Sequence, residues 1–492
     1  MLRLFKSRMP GSWNPIYNLG ALSFYLFWLV IVTGIYLFIF FETSISGAYQ
    51  SVADITDNQF YIGSVMRSLH RYATMAMAIT ITLHLLKELQ LKKYADARRF
   101  SWISGVPLLW LFFASALGGY WLVWDDRAQY IALTTAALFD ELPIVVEPIA
   151  FGFLDSTRVS DRFFSLLIFL HVGIPLSLLL GMFIHIQRIS NSKTMPGREL
   201  SMAVLVALLI VSILHPAQNG APADLDKPLG QFSIDWTVMN TFPLVQSIGP
   251  QFVWLLLLSI TAGLIVLPFL VKTKVRVIAE VDPDYCNGCS WCFIDCPYDA
   301  IYMKPHDFRE NHLQSVVIAD KCVGCGICAG ACPTATPFKS VNKAFSGINL
   351  TNQKNADILE GLRTSLKEKQ QRKLLVVGCH HGSGLAHLTS DTVETLELEC
   401  IAQLPPSYID FLCRREDIET VLLTGCAEGD CFHRLGIEIQ EGRLAHEREP
   451  HLRYQDVAGR IVTLWTGKGA EQQLAEEVAR LQKEEQQDAG IH

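Results

Sequence analysis

The 492-residue chain predicts a multidomain protein. An all-α six-helix transmembrane bundle is expected over 1–274, a small α+β domain over 275–345 and a small α/β parallel-sheet domain over 372–454. Residues 346–371 read as a linker, and 455–492 as a C-terminal tail with an amphipathic helix. Three observations carry this division. The long apolar runs are confined to the first half, although hydrophobic residues make up 50% of the whole. All 13 cysteines lie at or beyond Cys286. From residue 372 short apolar strands alternate with helices, the pattern of a parallel sheet. A chain of this length is expected to hold two or more domains. The net charge of −7 offers no hint of nucleic-acid binding, and no nucleic-acid partner is expected.

The bundle follows from six runs near 20–41, 66–90, 103–124, 162–187, 200–214 and 249–271. Crossing a hydrocarbon core of ~30 Å takes roughly 20 helical residues, and the fifth run is short of that. The loops alternate in charge. Arg3, Lys6 and Arg8, then Lys92, Lys93, Arg98 and Arg99, then Arg188, Lys193 and Arg198, then Lys272, Lys274 and Arg276 lie on one side. Glu42, Asp54 and Asp57, then Asp125, Asp126, Glu141, Glu147 and Asp155, then Asp224, Asp226 and Asp235 lie on the other. The positive-inside rule puts both termini in the cytoplasm of a prokaryote, with the chain multi-pass in the inner membrane. The basic N-terminus has no small-residue cleavage site before the first run, so it is not read as a cleaved signal. The cysteine-rich half then lies in a reducing compartment, where structural disulfides are not expected.

His70 and His84 lie in the second run, His171 and His185 in the fourth, each pair 14 residues apart. Fourteen residues are close to four helical turns, so both side chains of a pair share a face about 21 Å apart. Two such helices facing each other would clamp two haems, one above the other. His70 with His171 would hold the outer haem and His84 with His185 the inner one. A single membrane histidine can be a hydrogen-bonded packing residue; four at one repeated spacing argue for function. Gly20 and Gly34, and Gly105 and Gly119, repeat the same spacing and would admit a porphyrin, or else serve helix packing. Arg67 and Lys87 lie one turn from His70 and His84, placed to neutralise haem propionates or to snorkel.

From Trp13 to Ile189 the chain resembles cytochrome b of the quinol-oxidising respiratory and photosynthetic complexes. The matching pieces are WNPIYNLG, SLHRYATMAMAITITLHLLK, WISGV, GGYWLVWDD and HVGIP. Residues 200–271 resemble the next two helices of that family. The resemblance implies two non-covalent b haems and quinone as substrate, and a homodimer through this part is expected. The family's outer Pro-Glu-Trp-Tyr motif is replaced here by Ser233-Ile234-Asp235-Trp236-Thr237. Asp235 and Trp236 are the quinone-site candidates; a solvated loop acid is the plain alternative. Residues 127–142 suit an interfacial helix roofing that pocket.

Residues 286–297 (CNGCSWCFIDCP) and 322–333 (CVGCGICAGACP) repeat Cys-x2-Cys-x2-Cys-x3-Cys-Pro. Three thiolates of each run wrap one cubane, while the fourth ligates the other. One 4Fe–4S cluster would use Cys286, Cys289, Cys292 and Cys332; the second would use Cys322, Cys325, Cys328 and Cys296. Zinc is the alternative. The segment resembles bacterial two-cluster ferredoxins. It begins a few residues after the sixth run, which predicts a place on the cytoplasmic face near the inner haem.

KLLVVG precedes Cys379, TVETLELE precedes Cys400, and ETVLLTG precedes Cys426, with Cys431 five residues on. Thiols past the ends of parallel strands gather on the edge where such sheets bind ligands. Cys413, in a helical stretch, reads as a buried free thiol. With TGCAEGDCFHRLG as its nearest match, this domain resembles the delta subunit of methyl-viologen-reducing hydrogenase. That resemblance implies a 2Fe–2S cluster on Cys379, Cys400, Cys426 and Cys431, again with zinc as the alternative. It also implies cytoplasmic dehydrogenase partners that bind flavin and nucleotide, since no nucleotide fingerprint is present here. The helix EQQLAEEVARLQKEE reads as a solvated or partner-facing tail.

The expected function is a membrane electron-transfer subunit of a quinone oxidoreductase complex. Electrons would pass from a cytoplasmic dehydrogenase through the 2Fe–2S centre, two 4Fe–4S centres and two b haems to quinone. Reverse transport from quinol to a low-potential cytoplasmic acceptor is the alternative, drawing ~2.3 kcal/mol per electron per 100 mV. A heterodisulfide-reductase-like subunit and a redox-sensing scaffold are further alternatives. No nucleophile or general-base constellation is visible in the chain.

Overall fold

The computed structural model describes residues 13–59, 61–95, 98–142, 160–187, 194–227, 233–271, 277–337, 345–367, 373–454 and 457–489. Of the loop charges expected to orient the bundle, Arg3, Lys6, Arg8, Glu147, Asp155, Arg188, Lys193, Lys272, Lys274 and Arg276 lie outside the described residues. The chain divides into two compact units. One comprises Asn18–Arg188 and Thr194–Lys272; the other is built mainly from Thr273–His492.

In the first unit, α1 (Leu19–Phe40), α2 (Ile45–Asp57), α3 (Ile62–Gln90), α4 (Arg99–Val123) and α5 (Asp126–Asp140) are followed by α6 (Asp161–Gln187), α7 (Arg198–Leu214), α8 (Phe242–Ile248) and α9 (Pro250–Leu270). Among the described residues, α1, α4, α6 and α9 are long and apolar enough to cross a membrane. The other two expected spans are helical as well. However, α3 carries Arg67, Arg71, Lys87 and Glu88, and α7 has only 17 residues. A helix of that length is about 26 Å long, short of a ~30 Å core.

Helix α1 packs along α3, and α4 along α6. Leu26, Phe27, Ala73, Met77, Phe112, Leu178 and Met182 from these four helices form one buried core. Large apolar side chains such as Phe38, Leu180, Phe183 and Leu255 face outward instead, as lipid-exposed helices require. Helix α2 forms where the sequence showed only an acidic loop. Ser44 caps it by accepting a hydrogen bond from the Gly47 amide at 2.9 Å, and Ala48, Val52 and Ile55 form its buried face. Helix α5 covers most of the stretch 127–142, which was expected to be helical. Asp125 caps it, and Ala128, Ala132 and Ala136 pack against Trp124 and Phe164.

In the second unit, β1 (Ala279–Val281) pairs antiparallel with β4 (Ile348–Leu350). Strands β2 (Ile301–Pro305) and β3 (Leu313–Val317) form an antiparallel pair. The short helices α10 (Trp291–Ile294) and α11 (Ile327–Gly330) each lie within a cysteine run. Helix α12 (Asn355–Lys367) leads to a four-stranded parallel sheet in the order β6-β5-β7-β8. Its strands are β5 (Lys373–Cys379), β6 (Val393–Leu398), β7 (Ile418–Thr424) and β8 (Ile461–Leu464). Helices α13 (Pro406–Cys413), α14 (Gly436–Leu444) and α15 (Glu471–Ala489) complete the unit.

Two expected segments differ here. The stretch expected as a linker, 346–371, contains β4, whose pairing with β1 closes the first small sheet, and Leu350 is fully buried. The stretch expected as a tail supplies the fourth strand of the parallel sheet. Its amphipathic helix is not solvated: Leu474, Val478 and Leu481, at helical spacing, pack on Leu374, Val376 and Leu422 of the sheet. A single buried core runs from Ala279, Ile327 and Ile348 to Val377, Tyr408 and Val421. The expected α+β and α/β parts therefore share one interior.

Replacing Leu350 with Ala is expected to cost about 2–5 kcal/mol. It should speed proteolysis within 277–489 of the detergent-solubilised protein. A linker residue would leave the cleavage rate unchanged.

Candidate redox centres

Helix α3 carries His70 and His84, and α6 carries His171 and His185. The His70 and His171 ring centroids are 6.4 Å apart, with the planes at 66°. Two imidazoles binding one metal from opposite sides, at metal–nitrogen distances of about 2.0–2.1 Å, would put their centroids on the order of 6 Å apart. The donor set and its spacing fit a metal held between them.

Each imidazole rests against a glycine of the neighbouring helix. A Cβ on Gly119 would stand 2.8 Å from His171 Cε1; on Gly34, 3.1 Å from His70 Cε1; on Gly105, 3.1 Å from His185 Cε1; on Gly20, 3.4 Å from His84 Cε1. The four glycines seen in the sequence thus pair one to one with the four histidines. Their hydrogen bonds give the reason. His70 Nδ1 lies 3.0 Å from the carbonyl of Val30, four residues before Gly34. His171 Nδ1 lies 3.0 Å from the carbonyl of Ser115, four residues before Gly119. A helix carbonyl has a second lone pair, and a glycine one turn on opens the way to it.

A carbonyl can only accept, so Nδ1 is the protonated nitrogen and Nε2 keeps its lone pair for a metal. His70 Nδ1 is also 3.0 Å from Thr33 Oγ1, and His185 Nδ1 is 3.1 Å from Ser104 Oγ. His84 Nδ1 is 3.9 Å from Glu88. Sequence reasoning missed these supporting residues. The available signal was a hydroxyl directly before a glycine, Thr33-Gly34 and Ser104-Gly105.

Arg67 is buried, with Nη1 donating to Thr56 Oγ1 at 2.6 Å and to the Ala217 carbonyl at 3.3 Å. Lys87 Nζ lies 3.5 Å from Glu88. Asp235 and Trp236 part company. Asp235 is buried and accepts from the Tyr120 hydroxyl, from the Thr237 amide at 2.9 Å and from the Thr237 hydroxyl at 2.6 Å. Trp236 is 67% exposed. Tyr120 is the partner that sequence reasoning missed.

In the second unit, a small cavity is lined by Cys286, Cys289, Cys292 and Cys332. Another is lined by Cys296, Cys322, Cys325 and Cys328. These are the two crossed sets expected from the repeated spacing. Gly288 and Gly324 make the convergence possible. Both have φ of 71°, and a Cβ would strike the backbone carbonyls of Leu313 and Val277. Amides already point at sulfur: Ala279 N to Cys322 Sγ at 3.4 Å and Ala300 N to Cys296 Sγ at 3.3 Å. Such bonds tune cluster potentials. Burial pushes the Cys292 thiol up to about 12.

Cys379 ends β5, and Cys400 and Cys426 lie two residues past β6 and β7. The Sγ atoms of Cys379 and Cys426 are 3.7 Å apart. Cys400 and Cys431 crowd the Cα of Gly436 from the other side, where a Cβ would meet both sulfurs. The fold therefore brings all four expected thiols to the carboxyl edge of the sheet. Its central strand β5 has β6 on one side and β7 on the other, the topological switch point where such sheets bind ligands. Amides of His381 and Phe432 point at Cys379 and Cys426, at 3.3 and 3.4 Å.

Residues 4–193 match the family model "Cytochrome b/b6/petB", and 285–336 match the "4Fe-4S dicluster domain". Cytochrome b of Acanthamoeba castellanii is 30% identical over 202 residues, 40% of this chain and 51% of that protein. Cytochrome b6 of Heliobacterium modesticaldum is 27% identical over 168 residues, 34% of this chain and 78% of that protein. The chain thus spans about half the length of the first relative. A solved structure titled "Hyperthermophilic respiratory Complex III" aligns at 21% identity and a TM-score of 0.43, covering 52% of this chain and 76% of that one.

Residues 4–193 are thus similar to cytochrome b/b6 and 285–336 to a 4Fe–4S dicluster domain, on a chain with four helices long and apolar enough to cross a membrane among the described residues.

Gly119→Val should push the His171 ring aside and lower the haem content per polypeptide in a pyridine haemochrome assay. Gly263→Val, with nothing within 4 Å of the added carbon, should leave it unchanged. Equal haem in both variants would remove the cradle argument. Cys413 is buried and its thiol is pushed up to about 12 by desolvation. At pH 8 about one molecule in ten thousand would carry its thiolate. Iodoacetamide should label Cys413 only after denaturation, as peptide mass mapping would show.

Proposed function

We propose that this chain is the electron-transfer subunit of a quinone oxidoreductase complex in a prokaryotic cytoplasmic membrane. It links a cytoplasmic dehydrogenase, itself binding flavin and nucleotide, to the quinone pool. One observation carries the reading. Two four-thiol cavities and a third four-thiol group share one interior, on a polypeptide whose other half pairs histidines inside apolar helices.

His70 with His171, and His84 with His185, hold two b haems, with Arg67 and Lys87 toward the propionates. Cys286, Cys289, Cys292 and Cys332 hold one 4Fe–4S cluster, and Cys296, Cys322, Cys325 and Cys328 the other. Cys379, Cys400, Cys426 and Cys431 hold a 2Fe–2S cluster in a domain like the hydrogenase delta subunit. The 3.7 Å sulfur pair suits two thiolates on one iron. When bound, these groups supply one-electron chemistry. The protein's own work is to occupy Nδ1 of His70 and of His171 with a carbonyl, to bury the thiols and to aim amides at sulfur.

Asp235, with Tyr120 and Thr237, exchanges protons with quinone on the outer side. The cations Lys92, Lys93, Arg98 and Arg99 lie between the end of α3 and the start of α4, the His84 and His185 end. The positive-inside rule makes that end cytoplasmic.

The complex purified with its partners tests this. Adding NAD(P)H, formate or hydrogen should reduce haem, and a quinone analogue should reoxidise it. His84→Ala should halve the haem content and abolish haem reduction through the clusters. Full haem content in that variant would overturn the assignment. Asp235→Asn should slow quinone-dependent reoxidation by at least tenfold, about 1.4 kcal/mol, without changing haem content.

A further inference from the structure

Resting on the 2Fe–2S reading above, we propose that the third thiol group exchanges electrons directly with the Cys296/Cys322/Cys325/Cys328 site. Arg443 is the positioning residue that fixes the two together. One electron leaves the third site and is gained by that cubane; no bond is made and no proton moves. The Cys286/Cys289/Cys292/Cys332 site then stands one step further along.

Three contacts converge on this pairing. The first is backbone against backbone. Helix α11, inside the second cysteine run, lies against the turn Ile401–Gln403 that follows Cys400. A Cβ on Gly330 would collide with the Ala402 carbonyl, and one on Gly326 would stand 2.8 Å from the Gln403 side chain. Only glycine lets the two segments approach this closely.

The second contact is Arg443, whose side chain is 0% exposed. Its Nη1 donates to the Ala402 carbonyl at 2.7 Å, two residues past Cys400. Its Nη2 donates to Asp295 Oδ2 at 2.7 Å, next to Cys296, and reaches the Ile327 carbonyl, next to Cys328, at 3.4 Å. One rigid guanidinium therefore ties the third site to both ends of the second cavity. Arg448 holds the other Asp295 oxygen at 2.7 Å.

The third contact is Tyr298 to His433. The Tyr298 hydroxyl and His433 Nδ1 are 2.9 Å apart. Tyr298 lines the second cavity two residues past Cys296, and His433 lies two residues past Cys431. The bond bridges a ligand loop of one centre to a ligand loop of the other. None of the three contacts involves a lining residue of the first cavity.

Electron paramagnetic resonance on the full-length protein tests the pairing. A reduced cubane close to a reduced 2Fe–2S centre shortens the relaxation time of the 2Fe–2S signal. That shortening should persist in Cys289→Ser, which removes the first cubane, and vanish in Cys322→Ser, which removes the second. The opposite pattern would overturn the pairing. Absence of any 2Fe–2S signal, with iron missing from the third site, would instead sink the reading of that site and the inference with it.

Arg443→Met should lower the midpoint potentials of the 2Fe–2S centre and the second cubane, because a buried positive charge is lost, and leave the first cubane unmoved. A buried ion pair broken this way can prevent folding. Arg448→Met, on a side chain 34% exposed, keeps every thiol and Arg443 in place. The cubane whose potential falls in that variant should be the one that relaxes the 2Fe–2S signal. A fall in the other cubane would refute the proposal.

Discussion

An imidazole among apolar helices must have its N–H satisfied and its other nitrogen kept clear, and the membrane unit is arranged around that requirement. The donor of His70 and of His171 goes to a helix carbonyl that already serves its own helix. That carbonyl is reachable only where the residue one turn later has no side chain. Glycine, histidine and carbonyl thus form a unit that needs two helices at close range. The pairing of α1 with α3 and of α4 with α6 follows from it. The apolar core of Leu26, Met77, Phe112 and Leu178 draws on the stretches of the four helices that lie between the two histidine levels in sequence.

The second unit solves a different problem, which is how to bring twelve thiols together in a small volume. Crossing the fourth cysteine of each run into the other cavity locks the two runs together. Left-handed glycines turn each loop back so that its sulfurs face inward. A segment of about sixty residues buries too little apolar surface to stand securely alone. Its interior is instead continuous with that of the parallel sheet, and Asp295–Arg443 is a fully desolvated ion pair at the junction. Arg443 hydrogen bonds at once to Asp295 and to the Ala402 carbonyl, which fixes the spacing of the segments that carry them. That suits redox centres, whose exchange depends on distance.

The two units use opposite chemistries for the same end. Neutral nitrogen donors sit in the apolar half. Clustered cysteine thiols sit in the other half. In both, backbone groups face donor atoms: the Val30 and Ser115 carbonyls at His70 and His171, and the Ala279 and Ala300 amides at Cys322 and Cys296.

Periodicity and spacing alone determined much. The 14-residue repeats placed four histidines on two helix faces, and the doubled cysteine pattern named both crossed thiol sets, because helical pitch and loop length are local properties. The strand ends bearing Cys379, Cys400 and Cys426 were legible for the same reason. Only the tertiary structure decided the rest. It turned 346–371 from linker into a paired strand and made the charged tail a packed helix, since burial of Leu350 or Leu474 depends on partners distant in sequence. It directed Asp235 inward to Tyr120 and Trp236 outward, although they are adjacent. It also found Arg443, an ordinary surface-type residue by sequence, at the centre of the second unit. No local pattern marks a buried cation whose partner lies 148 residues away.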